Sequence, residues 1–279
     1  LGLCMPLTSC NDEAEPANDP ASEAVPHHPT SNFGRCPLLA HIDNPKLGIK
    51  EITEEEYRDG ELVKDSKKVY SYDKEQRLIK ITGISDGRNY KEEYEYDTKG
   101  RPVNYLVTND AGGMETHTFI YDEYGFLVRI KESYRYGEEN EESEMVFSYS
   151  GDTLFLADIW EKDTSLSKVL YSDDLYPLYF GAVSGTEFIY EWKDGNLVEE
   201  KSKWGREDDW HIRKWEYDAN VSIGHLTTYC QYMWFVENAV DLSKNNRIGS
   251  WSYTYDDKGL VVTQQSGDGW SYKYTYLYY

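Results

Sequence analysis

One segment of the chain matches the pattern of a catalytic serine. Gly83-Ile84-Ser85-Asp86-Gly87 fits G-x-S-x-G, in which the serine stands on a sharp turn and acts as a nucleophile. That turn must join a strand to a helix, whereas the residues after Gly87 alternate as in a strand. We therefore interpret residues 83–87 as a connection between two strands.

Acidic residues offer a second chemistry. With 51 Asp and Glu residues, a carboxylate pair suited to glycoside hydrolysis could form, but no spacing singles one out. The run Glu138–Glu144 could attract cations, although a solvated loop explains it better.

Metal and cofactor chemistry has no support in the sequence. The six histidines are scattered, and His27 and His28 have no metal-ligand spacing around them. Phosphate-loop, dinucleotide and calcium motifs are absent from the sequence. We therefore expect a protein that is not an enzyme and that binds no cofactor and no metal, with a carboxylate-dependent glycan hydrolase as a less favoured alternative.

The net charge limits the partners. A formal charge of -22 repels phosphates, so we expect no binding to nucleic acid or to an anionic membrane surface. Solubility alone accounts for most of these charges.

The N-terminal residues Leu7-Thr8-Ser9-Cys10 resemble a bacterial lipobox. This resemblance implies that residues 1–9 are a truncated signal peptide and that Cys10 carries a diacylglycerol. A fragment of buried strand is the alternative, but the polar residues directly after Cys10 disfavour it. Because no later segment approaches 18 uninterrupted apolar residues, we expect membrane contact through the lipid anchor alone.

Residues 10–35 are expected to form the lipidated cysteine and a disordered tether. Positions 11–35 hold four prolines and five acids and almost nothing to bury. Acids directly after the lipidated cysteine resemble the export signal of Bacteroidota surface lipoproteins, which implies an outer-membrane protein exposed at the cell surface. Alternatively, the acids keep the tether extended.

Two further cysteines, Cys36 and Cys230, could form a disulfide in an oxidising compartment. Two separate buried thiols are equally compatible with the sequence, because their separation in space cannot be judged from it.

The dominant pattern is a repeated aromatic-x-Tyr step, which occurs eight times with the second tyrosines 19 to 41 residues apart. In YKEEYEYD, Tyr90, Tyr94 and Tyr96 share one parity, as in a half-buried strand. An Asp-x-x-Gly turn then follows in three copies, at 97–100, 122–125 and 256–259. A second strand begins after the turn, with an apolar residue seven positions after the second tyrosine. The eight steps are Tyr70-Ser71-Tyr72, Tyr94-Glu95-Tyr96, Phe119-Ile120-Tyr121, Phe147-Ser148-Tyr149, Phe188-Ile189-Tyr190, Trp215-Glu216-Tyr217, Tyr253-Thr254-Tyr255 and Tyr272-Lys273-Tyr274.

Each unit is thus predicted to be a β-hairpin. Eight hairpins give an all-β domain over residues 36–279, a large antiparallel up-and-down meander of about 16 strands. Exposed edges favour closure of this sheet into a barrel or a flattened roll, with the aromatic face inward.

The segment Tyr96-Asp97-x-x-Gly100-Arg101 resembles the YD repeat of Rhs-type proteins, which form β-rich shells. Together with the lipobox and the acidic tether, it resembles a family of Bacteroides-type surface lipoproteins. This resemblance implies a porin-like β fold and no assigned activity. The chain departs from Rhs proteins in its short length and in lacking an obvious C-terminal toxin.

The candidate site is predicted at the ends of the hairpins opposite the Asp-x-x-Gly turns. Longer connections are expected there, at 108–116, 133–143, 163–184, 204–210 and 236–246. Trp210 has the opposite parity to Trp215, so an exposed indole could stack on a sugar or anchor a protein. A lone surface tryptophan covering a strand is the alternative. Trp204, Tyr134 and Tyr136 are weaker candidates, while Trp160, Trp215, Trp251 and Trp270 have the parity of the core.

These observations favour a cell-surface lipoprotein that binds an extracellular ligand, a glycan or a protein, through the long-loop end. A structural or assembly subunit of an outer-membrane complex is the alternative.

Overall fold

The computed structural model describes residues 47–85, 87–150, 153–160, 163–172, 176–205, 209–227 and 239–279. The lipidation candidate Cys10 and the cysteines Cys36 and Cys230 lie outside these residues, as do the expected signal peptide and tether. In this part of the chain the strands are β1 (Ile49–Arg58), β2 (Glu61–Leu62), β3 (Lys68–Tyr72), β4 (Leu78–Ser85), β5 (Arg88–Tyr96), β6 (Pro102–Asn109), β7 (Met114–Tyr121), β8 (Leu127–Tyr136), β9 (Glu139–Ser150), β10 (Thr153–Trp160), β11 (Asp163–Tyr171), β12 (Pro177–Ala182), β13 (Glu187–Lys193), β14 (Asn196–Lys203), β15 (His211–Lys214), β16 (Glu216–Val221), β17 (Asn245–Ile248), β18 (Trp251–Tyr255), β19 (Val261–Ser266) and β20 (Trp270–Tyr278). The helices are short: α1 (Ile223–Thr227) and a 3₁₀ turn (Ala239–Leu242).

The prediction of an all-β antiparallel meander is confirmed. Eighteen of the described strands form one sheet, and β16 and β17 form a separate pair. Strand β1 pairs with β3 on one side and with β20 on the other, so the meander runs from β3 to β15 in one direction and from β20 to β18 in the other. Among the described residues the sheet is not closed into a barrel, and β15 and β18 form its edges.

The Asp-x-x-Gly segments form the turns that the sequence predicts. In one of them, Asp97 Oδ1 accepts hydrogen bonds from the backbone amides of Lys99 and Arg101. Gly100 adopts a φ of 82°, which glycine reaches without strain. The carboxylate of Asp97 also binds the guanidinium of Arg101, with Oδ2 2.7 Å from Nε. The aspartate therefore fixes both the backbone of the turn and the first side chain after it.

The second tyrosine of a unit joins one hairpin to the hairpin before it. The hydroxyls of Tyr96, Tyr121 and Tyr149 donate to the backbone carbonyls of Leu78, Pro102 and Leu127, at 2.6, 2.8 and 2.8 Å. Because the phenol must reach a carbonyl on the neighbouring hairpin, the same residue is needed in each unit.

The structure differs from the predicted register because a β-bulge lies at the start of the second strand of a hairpin. The pairing shifts between Glu95 and Tyr96, and equivalent shifts occur in three other hairpins. The extra residue places the sixth position after the second tyrosine in the core, as in Leu78 and Leu127, both 0% exposed. Ile79, at the predicted seventh position, is 36% exposed.

One face of the sheet, which we call the core face, is covered in part by residues 216–227 and 239–248, which we call the insert. The hydroxyl of Tyr72 donates to the carbonyl of Leu226 at 2.6 Å, and the amide of Leu197 donates to Ser243 Oγ at 3.1 Å. Leu197 lies on β14, next to the edge strand β15. At the opposite edge, on β18, the hydroxyl of Tyr253 donates to the carbonyl of Arg247 at 2.8 Å. The insert thus contacts strands near both edges of the open sheet.

The prediction of long connections at one end of the hairpins is wrong for most of the segments concerned, because they form strands. Residues 133–143 lie in β8 and β9, which are joined by a turn at Gly137, with Tyr136 paired to Glu139. Residues 163–171 and 177–182 are strands, and β6 and β7 are joined by the four residues after Asn109. Backbone pairing does not need apolar side chains, so the acidic run at Glu138–Glu144 extends a hairpin.

Candidate functional site: an aromatic cleft on the core face

A cleft of about 610 Å³ opens where β18, β19 and β20 end beside β1. Its aromatic side chains are Trp251 from β18 and Trp270 and Tyr272 from β20, all of them half-buried. Glu56 of β1 is paired with Tyr272, and so its carboxylate lies on the same face as these rings. The other lining residues are Gly249, Ser250, Ser266, Gly267 and Asp268.

The aromatic walls are held in place by neighbouring strands and by one turn. The rings of Trp251 and Tyr272 lie 6.0 Å apart between centroids, at an angle of 51°. Ser266 Oγ accepts from the amide of Trp270 at 3.2 Å, and its hydroxyl donates to the carboxylate of Asp268. The guanidinium carbon of Arg58 lies 4.9 Å from the centroid of the Trp270 ring. These contacts fix the indole of Trp270 before any ligand arrives.

The electrostatics of the cleft are acidic. The hydroxyl of Ser266 hydrogen-bonds to Asp268 and lowers the pKa of this carboxyl, with a smaller contribution from the charge of Arg58. Burial raises the pKa of the Tyr272 hydroxyl, and the negative charges of Glu56 and Glu54 add to this shift. The cleft therefore presents an ionised aspartate and a neutral phenol.

An inner cavity of about 400 Å³ adjoins the cleft and shares Trp251 and Tyr272 with it. It lies between the core face, with Glu54 and Gln264, and the insert, with Asn246 and Arg247. Glu54 is 8% exposed, and burial raises its pKa although the Lys68 ammonium, 3.5 Å away, and the Tyr70 hydroxyl act in the opposite direction. The cavity thus extends the cleft inward with hydrogen-bonding groups.

A second polar cluster lies on the core face near β7 and β8. His117 Nε2 is 2.5 Å from Glu115 Oε1, and its Nδ1 is 3.2 Å from Glu132 Oε1. Ser143 Oγ donates to Glu132 Oε2 at 2.6 Å. The carboxylate stands between the serine and the histidine, whereas a catalytic triad requires the histidine in that place. His117 is 4% exposed and Glu132 8%, and their polar atoms are engaged with one another, with Glu115 and with Ser143, so we interpret the cluster as structural.

The structure places the predicted tryptophans on opposite faces. The ring of Trp204, 42% exposed, meets that of core-face Phe188 edge-on, with centroids 5.1 Å apart. Trp210, 37% exposed, lies beneath the Lys203 ammonium at 5.3 Å, and Lys203 pairs with Glu187 at 2.8 Å on the outer face. The connection 204–210 therefore does not bring the two indoles together.

The predicted tyrosines lie on β8. The hydroxyl of Tyr134 donates to Glu132 at 3.4 Å, and burial followed by the charges of Glu132 and Glu115 raises its pKa. Tyr136 is 61% exposed and accepts a hydrogen bond from Arg88 at 3.3 Å. Tyr134 is thus part of the buried polar cluster, and Tyr136 lies at the tip of its hairpin.

The remaining sequence motifs lie in strands. Ser85 is the last residue of β4 and is paired with Arg88 at the start of β5, so the strand that follows excludes a nucleophile elbow. Among the described residues, no three His, Cys, Asp or Glu side chains are grouped so as to hold a metal ion. In the same residues no helix has the length and hydropathy needed to cross a membrane.

The cleft residues were missed because parity assigns Trp251 and Trp270 to the core. The structure corrects this prediction: both are half-buried, since the insert covers the core face only in part. Trp215 is also half-buried and packs against the cluster around Phe188.

No protein-family model matches the chain, and no curated protein matches it. Two solved structures are similar. One is a porin-like protein from Bacteroides uniformis, with 13% identity and a TM-score of 0.40 over 84% of this chain and 99% of that chain. The other is a porin-like protein from Bacteroides vulgatus, with 14% identity and a TM-score of 0.36 over 82% of this chain and 98% of that chain.

Proposed function

We propose that this protein binds an extracellular saccharide in the aromatic cleft, without chemical conversion, while Cys10 anchors it by lipid to the outer membrane. The observation that carries the proposal is the grouping of Trp251, Trp270 and Tyr272 beside Glu56 and Asp268 in one open cleft.

The chemistry of these side chains suits a sugar. A pyranose has apolar C–H faces and a rim of hydroxyls, so it needs flat apolar walls and polar groups together. Aromatic rings supply the walls, and carboxylates, amides and hydroxyls supply hydrogen bonds that fix orientation. Beyond the rings, Gln264 of the inner cavity offers its amide to a longer ligand.

The proposal is tested by measuring the binding of a panel of bacterial, plant and host glycans. Trp251→Ala and Trp270→Ala should each weaken binding at least about tenfold, as expected for a central aromatic contact. Trp210→Ala is the matched control, because this indole lies on the outer face. Circular dichroism and thermal unfolding verify that each variant is folded. If no glycan binds, the proposal is refuted.

The same variants test the site predicted from the sequence. Loss of binding in Trp210→Ala or Trp204→Ala, with normal binding in the cleft variants, would place the ligand at the connection 204–210. Protease accessibility of intact cells, with Cys10→Ala as the control, tests display at the surface and the lipid anchor.

A role in assembly is the second candidate, and an apolar outer face favours it. Leu170, Ile189 and Ile212 are 37%, 40% and 56% exposed. They lie on one cross-strand row from β11 to β15, interrupted by Tyr179 and Lys201. Such a patch is typical of protein contacts. Co-purification with a membrane protein that is lost in Ile189→Glu, without glycan binding, would support this function.

A further inference from the structure

We infer that the saccharide bound in the aromatic cleft carries a protonated amine, as an amino sugar with a free amino group does. This inference rests on the proposed function and deepens it by naming the ligand class.

The charges that line the cleft are negative. Glu56 and Asp268 contribute carboxylates, and none of the described residues that line the cleft is basic. Within the part of the chain that the structure describes, neither carboxylate belongs to an ion pair. Arg58 is the neighbouring cation, and its charge contributes to the lowered pKa of Asp268, but two carboxylates outnumber it. A cleft with this excess of negative charge beside an aromatic wall is a site where an ammonium gains both ion pairing and cation–π attraction.

One aromatic ring of the cleft already binds a cation. The Arg58 guanidinium lies over Trp270 at 4.9 Å, so one ring of the cleft holds a cation of the protein itself. For Trp251 and Tyr272, no described cation occupies a ring face. A ligand ammonium over one of these rings would lie near Glu56, which is paired with Tyr272 across β1 and β20.

The charged residues of the inner cavity do not cancel the negative charge of the cleft. Glu54 is paired with Lys68 at 3.5 Å, and Arg247 on the insert is the one base among the described cavity residues. The whole chain carries a net charge of -22, which raises the local concentration of cationic ligands and lowers that of polyanionic glycans. The negative net charge of the protein and the carboxylates of the cleft therefore both favour a cationic saccharide.

The experiment compares two forms of one saccharide. The β-1,4-linked glucosamine pentasaccharide and its N-acetylated counterpart have the same backbone, but only the first carries ammonium groups. Titration calorimetry of the full chain at pH 6 and low salt should show binding of the amine form at least about tenfold tighter. Added salt should reduce this ratio, because screening weakens exposed ion pairs.

Variants assign the preference to the cleft. Glu56→Gln combined with Asp268→Asn should bring the ratio of the two affinities close to one. Glu55→Gln is the matched control, because it removes a carboxylate from the other face of the same strand, and it should leave the ratio unchanged. Trp251→Ala should weaken both forms together, which separates the aromatic contribution from the charge.

Each other outcome overturns the inference. Equal affinities, or tighter binding of the N-acetylated form, exclude recognition of an amine. If neither form binds while a different glycan does, the proposed function holds and the inference is wrong. If no glycan binds, both are wrong. Tighter, cleft-dependent binding of a lysine pentapeptide, a ligand of equal charge, would show that the partner is a basic peptide.

Discussion

Tyr96 and Leu78 join two successive hairpins by one hydrogen bond. The phenol of Tyr96 donates to the carbonyl of Leu78 at 2.6 Å, while the guanidinium of Arg77 lies 4.7 Å from the centroid of the same ring. Arg101 and Tyr121 repeat this stacking at 4.4 Å in the next pair of hairpins. The aspartate, arginine and tyrosine of the repeat thus act together across hairpin boundaries.

Replacing Tyr96 by Phe should lower the free energy of unfolding by about 0.5–1.5 kcal/mol, because the carbonyl of Leu78 loses a donor. Tyr278→Phe is the matched control: its buried hydroxyl has no hydrogen-bond partner among the described residues, so its removal should be neutral or stabilising. Urea unfolding of both variants measures the two changes. Equal losses would contradict the assigned role of the Tyr96 hydroxyl.

Replacing Asp97 by Ala should destabilise the protein by about 1–3 kcal/mol at neutral pH, since its carboxylate accepts hydrogen bonds from the turn and from Arg101. Burial alone would raise the pKa of Asp97, but the amide and guanidinium of Arg101 and the amide of Lys99 lower it. This stabilisation is therefore present above the ordinary aspartate pKa of about 3.9 and is lost as the pH falls through the folded value.

Thr98→Ala, an exposed change in the same turn, provides the control for Asp97 and should alter stability by less than about 0.5 kcal/mol. Denaturant unfolding from pH 3 to pH 7 tests the pH dependence. A penalty for Asp97→Ala that does not shrink in acid would show that the charge of Asp97 is unimportant.

His117 should give a pH dependence of the opposite sign. Burial lowers the pKa of this imidazole, but the carboxylates of Glu115 and Glu132 raise it by more. The stabilisation by His117 is fully present below the ordinary histidine pKa of about 6.5 and is lost as the pH rises through the higher folded value. We expect His117→Gln to cost about 1–3 kcal/mol at pH 5.5 and less at pH 9.

Chemical unfolding of His117→Gln at both pH values measures this difference. His211→Gln is the control, because His211 is exposed on β15. If the loss in His117→Gln is the same at both pH values, the protonated imidazole does not stabilise the fold.

Gly185 should be much less tolerant of a side chain than Gly137. Both have positive φ, 91° and 64°, but a Cβ on Gly185 would lie 2.5 Å from the carbonyl oxygen of Gly205, whereas a Cβ on Gly137 would meet nothing within 4 Å. Gly137→Ala should therefore cost about 1–2 kcal/mol, from the backbone alone. Gly185→Ala should cost about 1–3 kcal/mol more. Similar melting temperatures for the two variants would contradict this close approach.

The fold was predictable because the sequence patterns that specify it, alternation and the Asp-x-x-Gly turn, involve residues close together in the chain. Alternation places Tyr94 on the core face, and an Asp-x-x-Gly turn needs four neighbouring residues and no distant partner. The stacking of Arg77 on Tyr96 and the bulge beside it were not predictable in this way. Both depend on how one hairpin lies against the next.

The cleft could not be located by the same rules. Parity states which face Trp251 occupies but not whether that face is covered. The cover comes from the insert, in which the repeat step at Tyr217 is followed by α1 and not by the predicted second strand. One signal was present, since Glu92 shares the parity of the core residue Tyr94 and Glu132 shares that of Ile130. Acids at core positions indicate that part of the core face is polar, and the buried cluster around His117 lies there.

The pairing of β1 with both β3 and β20 has a consequence for the order of folding. Tyr72 and Tyr279, 207 residues apart, are joined by a hydrogen bond from the Tyr279 hydroxyl to the Tyr72 carbonyl. During synthesis from the N-terminal side, β1 gains its second neighbour only after all the other hairpins have emerged. Contacts across such a separation form late and slowly. Until then one side of β1 is an open edge, and a chaperone that shields this edge would protect the nascent protein from aggregation.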